Sequence, residues 1–471
     1  ITVGEVNVRD GLLSADTEMS PFPVLTIDDG GGESGNLNIE SNGTVNLADV
    51  IINRGEATFF RQDLDIDGDI SNSGTFQAEV DDGSNAAIAV VTFTSGDTQA
   101  IGGATTANAD YVFGDIDIGS TTVNDNTATG AGIIFQGATL TGSGGTLSGA
   151  SISFNGTTAQ EVSGSGTFEL DAALGTQNGS AVTINTDVTL SDIRSPQPGD
   201  LIVGNNATLT VEASTTGQAV DGSVTINSGS TLTFDGATPS GSPFEVSGDV
   251  DVQGTLTLSS SNGGRIEPSG DFTVDGTFNP NGRTVIFNTP SGTTSVIRSN
   301  NGSVQFGGFA NEGAGTVQLN VPVFVSGDLR AESTISSNTS SDVVTFNGGS
   351  SNTISASSVS VPALIVTDDG VGNATTITTS GLGGSAQTLQ ANGITVQGGS
   401  TFSGGSDDTS IQANGNIDVQ DGSFILSDNA TADPVYSLTG DFLVDDTNGS
   451  FTNNGREVTF NGTTTQTIGG T

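Results

Sequence analysis

The 471-residue chain contains no cysteine, histidine, lysine or tryptophan, and only 1 Met and 2 Tyr. Each absence removes a chemistry. Without cysteine there is neither a disulfide nor a thiolate metal site, and thiol content cannot report a redox compartment. Without histidine there is no Ser-His-Asp relay, no Cys-His pair and no imidazole zinc site. Without lysine there is no Schiff base, no Walker lysine and no Lys–Asn isopeptide staple. Catalysis by carboxylates alone is what the composition leaves open. Positive charge is scarce as well, with 9 Arg against 53 acids and a formal net charge of −44. That field repels phosphate backbones and anionic lipid, so nucleic-acid binding and membrane-surface binding are not expected. No apolar run approaches the ~20 residues that a membrane-spanning helix needs. The sequence opens on ITVGEVNV, with neither an initiator Met nor a basic segment leading into an apolar one. The expectation is an exported product, extracellular or on the cell surface, after removal of a signal peptide.

What is present is a narrow alphabet, with 69 Gly and 23 Phe among many Thr, Ser, Asn and Asp, and a narrow alphabet points to a repeated unit. Four segments align without gaps: FTSGDTQAI from Phe93, FNGTTAQEV from Phe154, FNGGSSNTI from Phe346 and FNGTTTQTI from Phe460. In each, a Phe is followed six residues later by Gln or Asn and eight later by Ile or Val. A looser copy, FNTPSGTTSVI, begins at Phe287, and the lead-in GDFTVDGTFNPNGRTVIFN from Gly270 matches GDFLVDDTNGSFTNNGREVTFN from Gly440. The degenerate repeat is about 60 residues long.

Within it, short stretches such as TLTVEA, TLTLS and REVTF alternate apolar and polar residues between Gly, Asn, Asp and Ser, and no amphipathic helix pattern occurs. The pattern predicts an all-β fold, and among sandwich, propeller and solenoid it favours a parallel β-helix, that is, a β-solenoid rod. A stacked coil needs only one or two inward apolar side chains per strand, which suits a hydrophobic content of 33%. Phe, Val, Ile and Leu can stack on like residues of adjacent coils, and the Gln or Asn six residues after the Phe is placed to form an amide ladder at a corner. Stability then becomes nearly a sum over neighbouring coils. At about 20 residues and about 4.8 Å per coil, the chain makes some 23 coils and a rod roughly 110 Å long. Residues 1–90 carry no copy of the signature and read as a cap or assembly segment continuing into the solenoid, with residues 91–471 as its repetitive body.

Several motifs compete with a purely structural reading. Residues 63–69, DLDIDGD, match the first half of an EF-hand loop with Gly68 at its sixth position, but the twelfth position, which needs a carboxylate, is Gly74. Leu64 and Ile66 are therefore expected inside, with the aspartates outside and a turn at Gly68-Asp69. Weak surface calcium binding at Asp63, Asp65 and Asp67 stays open, and no other cofactor is expected. Gly-Asp before an apolar residue recurs at Gly114, Gly248, Gly270, Gly327 and Gly440 as a strand start. Asp-Asp-Gly at Asp28, Asp81 and Asp368 offers paired carboxylates, yet each pair stands where an apolar strand runs into a turn. Arg283 and Arg456 share a repeat position after Asn-Gly, which points to pairing with an acid on the neighbouring coil. GGGESG at Gly30 has Ser34 where a calcium-binding nonapeptide needs glycine. Asn-x-Ser/Thr triplets, as at Asn42, Asn155, Asn206, Asn301, Asn373, Asn448 and Asn461, read mainly as turns, with glycosylation open to a cell that has the machinery.

The order of a strand, then NGRTVIFN or NGREVTFN, then FNGTTTQTIGG resembles the repeat of long bacterial cell-surface and extracellular proteins, adhesin-like and autotransporter-passenger-like. The resemblance covers most of the chain beyond residue 90 and carries no catalytic residue across. It implies an exported β-helical rod with a role in adhesion, matrix or surface structure. The expectation is a non-enzymatic structural protein, self-associating head to tail as a homopolymer into a surface filament or matrix fibre. The alternatives are an adhesin spacer that binds glycans or other surface proteins, and an acid-only polysaccharide-degrading β-helix enzyme.

Overall fold

The computed structural model describes residues 6–9, 12–15, 22–28, 35–40, 44–52, 55–60, 63–72, 75–79, 90–94, 98–103, 110–127, 133–149, 152–154, 156, 158–173, 180–193, 199–212, 218–235, 243–260, 264–357, 360–381, 387–406, 409–429, 434–445 and 447–470. Among them the regular structure is β-strand with no helix, and strand after strand pairs in parallel with the strand one coil away. The chain is a β-solenoid. It divides into two compact units, Ile1–Gly236 and Ala237–Thr471.

In the first unit a coil lays one strand on each of three stacks. Asp63–Ile66, Ile70–Asn72 and Thr75–Glu79 make one coil; Val90–Phe93, Thr98–Gly103 and Asp110–Phe113 make the next. The registers Leu64↔Val91, Ile70↔Ile101 and Phe76↔Tyr111 place like side chains on like. Strand alternation turns every second residue inward, so one unbroken column runs Leu64, Val91, Ile116, Leu140, Val162, Ile184, Val203, Ile226, each buried. The second unit has the same construction, with a column Val304, Val323, Val344, Leu364, Ile394, Ile417, Phe442. Each such side chain contributes about 1.5–3 kcal/mol by leaving water. Strands of three residues suffice because the contact that matters runs between coils.

The pairing Leu64↔Val91 carries the solenoid across residue 90, and Val45↔Leu64 extends it further back. Coil length departs from the expected value of about 20: Val317 faces Ile335, a step of 18, whereas Phe76 faces Tyr111, a step of 35. Most steps exceed 20, so the coils are fewer than expected. Strand register survives the variation, since Thr75–Ala78 still faces Asp110–Phe113 across the 35-residue step.

The 60-residue repeat is not a whole number of coils. In the first unit Phe93 and Gln99 lie on the first and second stacks, whereas Phe154 and Gln160 lie on the third and first. In the second unit Phe346 and Phe460 likewise precede different corners. The signature thus marks a corner, and it fits more than one of them. Phe93, Phe154 and Phe346 are buried at 2%, 1% and 0% exposure. Phe460 differs, being half-exposed, because its strand Val458–Phe460 pairs with Tyr436–Leu438 on one side and with no described strand on the other. Phe154 stacks edge-on against Phe135 at 5.5 Å. Phe154→Ala should destabilise the first unit by about 3–5 kcal/mol, read as a lowered denaturation midpoint, while Phe460→Ala should cost clearly less.

Candidate functional site: coil corners and the acidic outer face

The backbone ladder breaks wherever the chain turns a corner, and the groups freed there need partners. The Gln of the repeat signature supplies two. Gln99 Nε2 donates to the carbonyls of Ile66 (2.9 Å) and Gly68 (2.8 Å). Gln160 Nε2 donates to Phe135 (3.1 Å) and Gly137 (2.8 Å), and Gln466 Nε2 to Leu438 (3.1 Å) and Gly440 (2.7 Å). In each case the first acceptor is the residue facing the signature Phe one coil earlier. Gln160 Oε1 also accepts from Gly156 N at 3.1 Å, and Gln466 Oε1 from Gly462 N at 3.0 Å. The amide is a clamp on the backbone of the preceding coil, not a rung of the expected amide ladder. Parallel coils present carbonyls at the corner closer than the next signature amide, which lies two or more coils away.

The recurrent Gly-Asp pairs serve the same corners. A Cβ at Gly68 would lie 2.2 Å from the Ala48 carbonyl oxygen, so the close approach of coils requires glycine there. The neighbouring Asp accepts a backbone N–H from the next coil: Asp69 from Ala100 (2.8 Å), Asp328 from Thr353 (2.7 Å), Asp441 from Thr467 (2.7 Å). Asp115 accepts from both Ala138 (2.7 Å) and Thr139 (2.8 Å), and Asp271 from Val296 (2.8 Å). These are charge-assisted bonds to donors that a corner would otherwise leave to water.

Asn-Gly-Arg forms a third corner device. Asn281 and Asn454 both adopt φ of 48°, followed by Gly282 at 73° and Gly455 at 76°. Asn281 Nδ2 donates to Leu258 O at 2.5 Å, and Asn454 Nδ2 to Leu426 O at 2.6 Å. Arg283 then donates to the carbonyls of Ser259 and Ser260, and Arg456 to those of Ser427 and Asn429. At Arg283 the bonds go to backbone oxygens rather than to the expected acid, since the left-handed turn aims the guanidinium along the preceding corner. Other arginines do meet acids, as in Arg298–Asp271 and Arg265–Glu267 at 2.5 Å each, in surface pairs of small energetic weight.

In the stretch DLDIDGD, Leu64 and Ile66 are fully buried, Asp63 and Asp67 are exposed, and Asp65 is half-buried. Asp63 accepts Val90 N at 3.1 Å, and Asp69 N donates to Asp49 at 2.9 Å. Strand and turn account for the whole stretch. Among the described residues no three acidic side chains are grouped closely enough to hold a metal ion. Burial first, then repulsion from Asp63, raises the Asp65 carboxyl above the ordinary aspartate range, partly offset by a hydrogen bond from Thr92.

The pair Asp368-Asp369 closes a turn. Asp369 Oδ1 accepts Val371 N and Asn373 N at 3.0 Å each, and Oδ2 accepts Asn373 Nδ2 at 2.6 Å. Those bonds, led by the Asn373 side chain, hold its carboxyl below the usual range. A carboxylate tied this way to its own turn is a poor general acid. Asp28 ends the strand Phe22–Asp28, while Asp29, Asp81, Asp82, Gly74, the GGGES stretch and the sequon residues Asn42 and Asn155 lie outside the described residues. The sequon asparagines Asn206, Asn301, Asn373, Asn448 and Asn461 are exposed at turns, and Asn301 Nδ2 is engaged by the Asp275 and Gly276 carbonyls. The structure also shows a shallow outer groove of about 360 Å3, lined by Gly149, Glu169, Leu170, Thr189, Ser191 and Glu212. No sequence motif marks it, because its residues come from strands one coil apart. No family model, curated protein or solved structure matches this chain.

A raised carboxyl pKa in the folded state means that ionised Asp65 opposes folding. Its contribution is favourable below the ordinary aspartate range and is lost as pH rises through the folded value. Asp65→Asn should accordingly raise the unfolding midpoint at about pH 7, and the gain should vanish by about pH 3, in thermal melts followed across that range.

Proposed function

We propose that this chain is a non-enzymatic structural protein of the cell exterior, a β-solenoid that self-associates end to end into a filament or matrix fibre. One observation carries the reading: the side chains that recur through the sequence are engaged in joining coil to coil. Gln160 and Gln466, Asp69 and Asp441, and Arg283 and Arg456 all bond to the backbone of an adjacent coil. Recurrent polar residues with that role build length, and Asp369 of the recurrent Asp-Asp-Gly motif is tied into its own turn. Self-association is supported by the construction of the stack, in which each coil accepts a parallel strand from the next, as Phe442–Val444 accepts Ile468–Gly470. The same edge chemistry suits addition of a further coil, and the coil of a second copy is the partner proposed. Calcium would act there by screening the −44 charge.

A second reading, contact with glycans, has one specific support in the groove beside Glu169 and Glu212, whose carboxylates and hydroxyl neighbours Thr189 and Ser191 are suited to sugar hydroxyls.

Sedimentation and negative-stain microscopy of the full chain at high concentration with calcium should show threads, and deletion of residues 463–471 should leave folded particles that no longer form them. A chain that stays monomeric, or a deletion that polymerises unchanged, refutes the joint. Incubation with acidic and neutral glycans should release no new reducing ends or unsaturated products. Cleavage abolished by Asp368→Asn with Asp369→Asn, or by Glu169→Gln, would instead establish an enzyme.

A further inference from the structure

The corner after Phe346 has the backbone frame of the Gln clamp with a shorter amide. Phe346 faces Val325, as Phe93 faces Ile66 and Phe460 faces Leu438. Asn347 N donates to the Val325 carbonyl at 3.2 Å, matching Thr94 N on Ile66 and Asn461 N on Leu438, both at 3.0 Å. Gly327-Asp328 stands where Gly68-Asp69 and Gly440-Asp441 stand, and Asp328 accepts Thr353 N as those aspartates accept their own partners. The amide itself is Asn352, one methylene shorter than Gln. It is 8% exposed, its Oδ1 accepts from Ser350 Oγ at 3.3 Å, and its Nδ2 has no hydrogen-bond partner in the protein.

We propose that one buried water completes this corner, accepting from Asn352 Nδ2 and donating to the carbonyls of Val325 and Gly327. The inference follows from valence. At the three Gln corners a single nitrogen reaches both carbonyls, so the acceptor pair is a recurrent feature of the backbone. Asn352 leaves one buried donor on one side and that acceptor pair on the other. A water has two protons and two lone pairs, and buried waters settle where two to four polar partners converge. It substitutes for the missing reach at little cost in immobilisation. The choice between Gln and Asn at the sixth position of the repeat therefore decides whether a corner is closed directly or through solvent.

A crystal structure of the full chain at high resolution tests this together with Asn352→Gln. The native protein should show one solvent peak at about 2.7–3.2 Å from all three atoms. In the Gln variant the amide nitrogen should occupy that position and expel the water, with an unfolding midpoint about 2 °C higher. The proposal is overturned if the native corner has no such peak, with Nδ2 turned onto a carbonyl directly, or if the Gln variant retains the solvent alongside its longer side chain.

Discussion

Contact between one coil and the next is the interaction on which everything else in this structure depends. A strand such as Val182–Ile184 has three residues and no stability alone. It exists because Gln160–Gly164 pairs with it on one side and Leu201–Val203 on the other, and because Ile184 sits in an apolar column that Val162 and Val203 continue, while Val182 packs on Leu201. Backbone hydrogen bonds and apolar burial thus run in the same direction, from coil to coil. Stability is then nearly a sum of nearest-neighbour terms, and an alteration at Phe154 is felt by the adjoining coils far more than by distant ones.

That arrangement creates a problem at every corner, where the ladder is interrupted and donors and acceptors face each other across a turn. Three devices answer it: a Gln amide over two carbonyls, an Asp carboxylate under a backbone N–H, and an Asn-Gly-Arg turn whose side chains reach back to the preceding coil. Each uses polar side chains of modest size on a backbone that permits close approach. The acidity of the protein follows in part from this use, because a carboxylate that accepts a backbone N–H needs no arginine beside it. Nine arginines suffice for a chain with 53 acids, and Arg283 among them serves carbonyls.

The same economy bears on function. Catalytic carboxylates need freedom to exchange a proton with substrate, whereas Asp369 is held by its own turn and Asp69, Asp115, Asp271, Asp328 and Asp441 are held by the next coil. The outer groove at Glu169 and Glu212 is an exception in placement, formed by side chains that happen to be neighbours across coils. Glu169, Thr189 and Glu212 come from successive coils, 20 and 23 positions apart in the chain, and nothing local in the sequence distinguishes them from other outward-facing positions.

Alternation of apolar and polar residues, the absence of any helical period and the recurrence of Phe, Gln and Gly-Asp were sufficient to determine from the sequence alone that the chain is a parallel β-solenoid, that Leu64 and Ile66 point inward, and that Phe93, Phe154 and Phe346 form part of the core. These are properties of a two-residue period and of burial, and both are local. The length of each coil, the use of one signature at different corners and the partners of Gln160 and Arg283 were decided by tertiary structure. The reason is geometric: those partners belong to the coil beneath, and how many residues separate two stacked coils depends on loops that the apolar pattern does not constrain. The sequence could announce that an amide and a guanidinium recur at fixed positions; only the stacked backbone determined that carbonyl oxygens of the preceding coil lie within their reach.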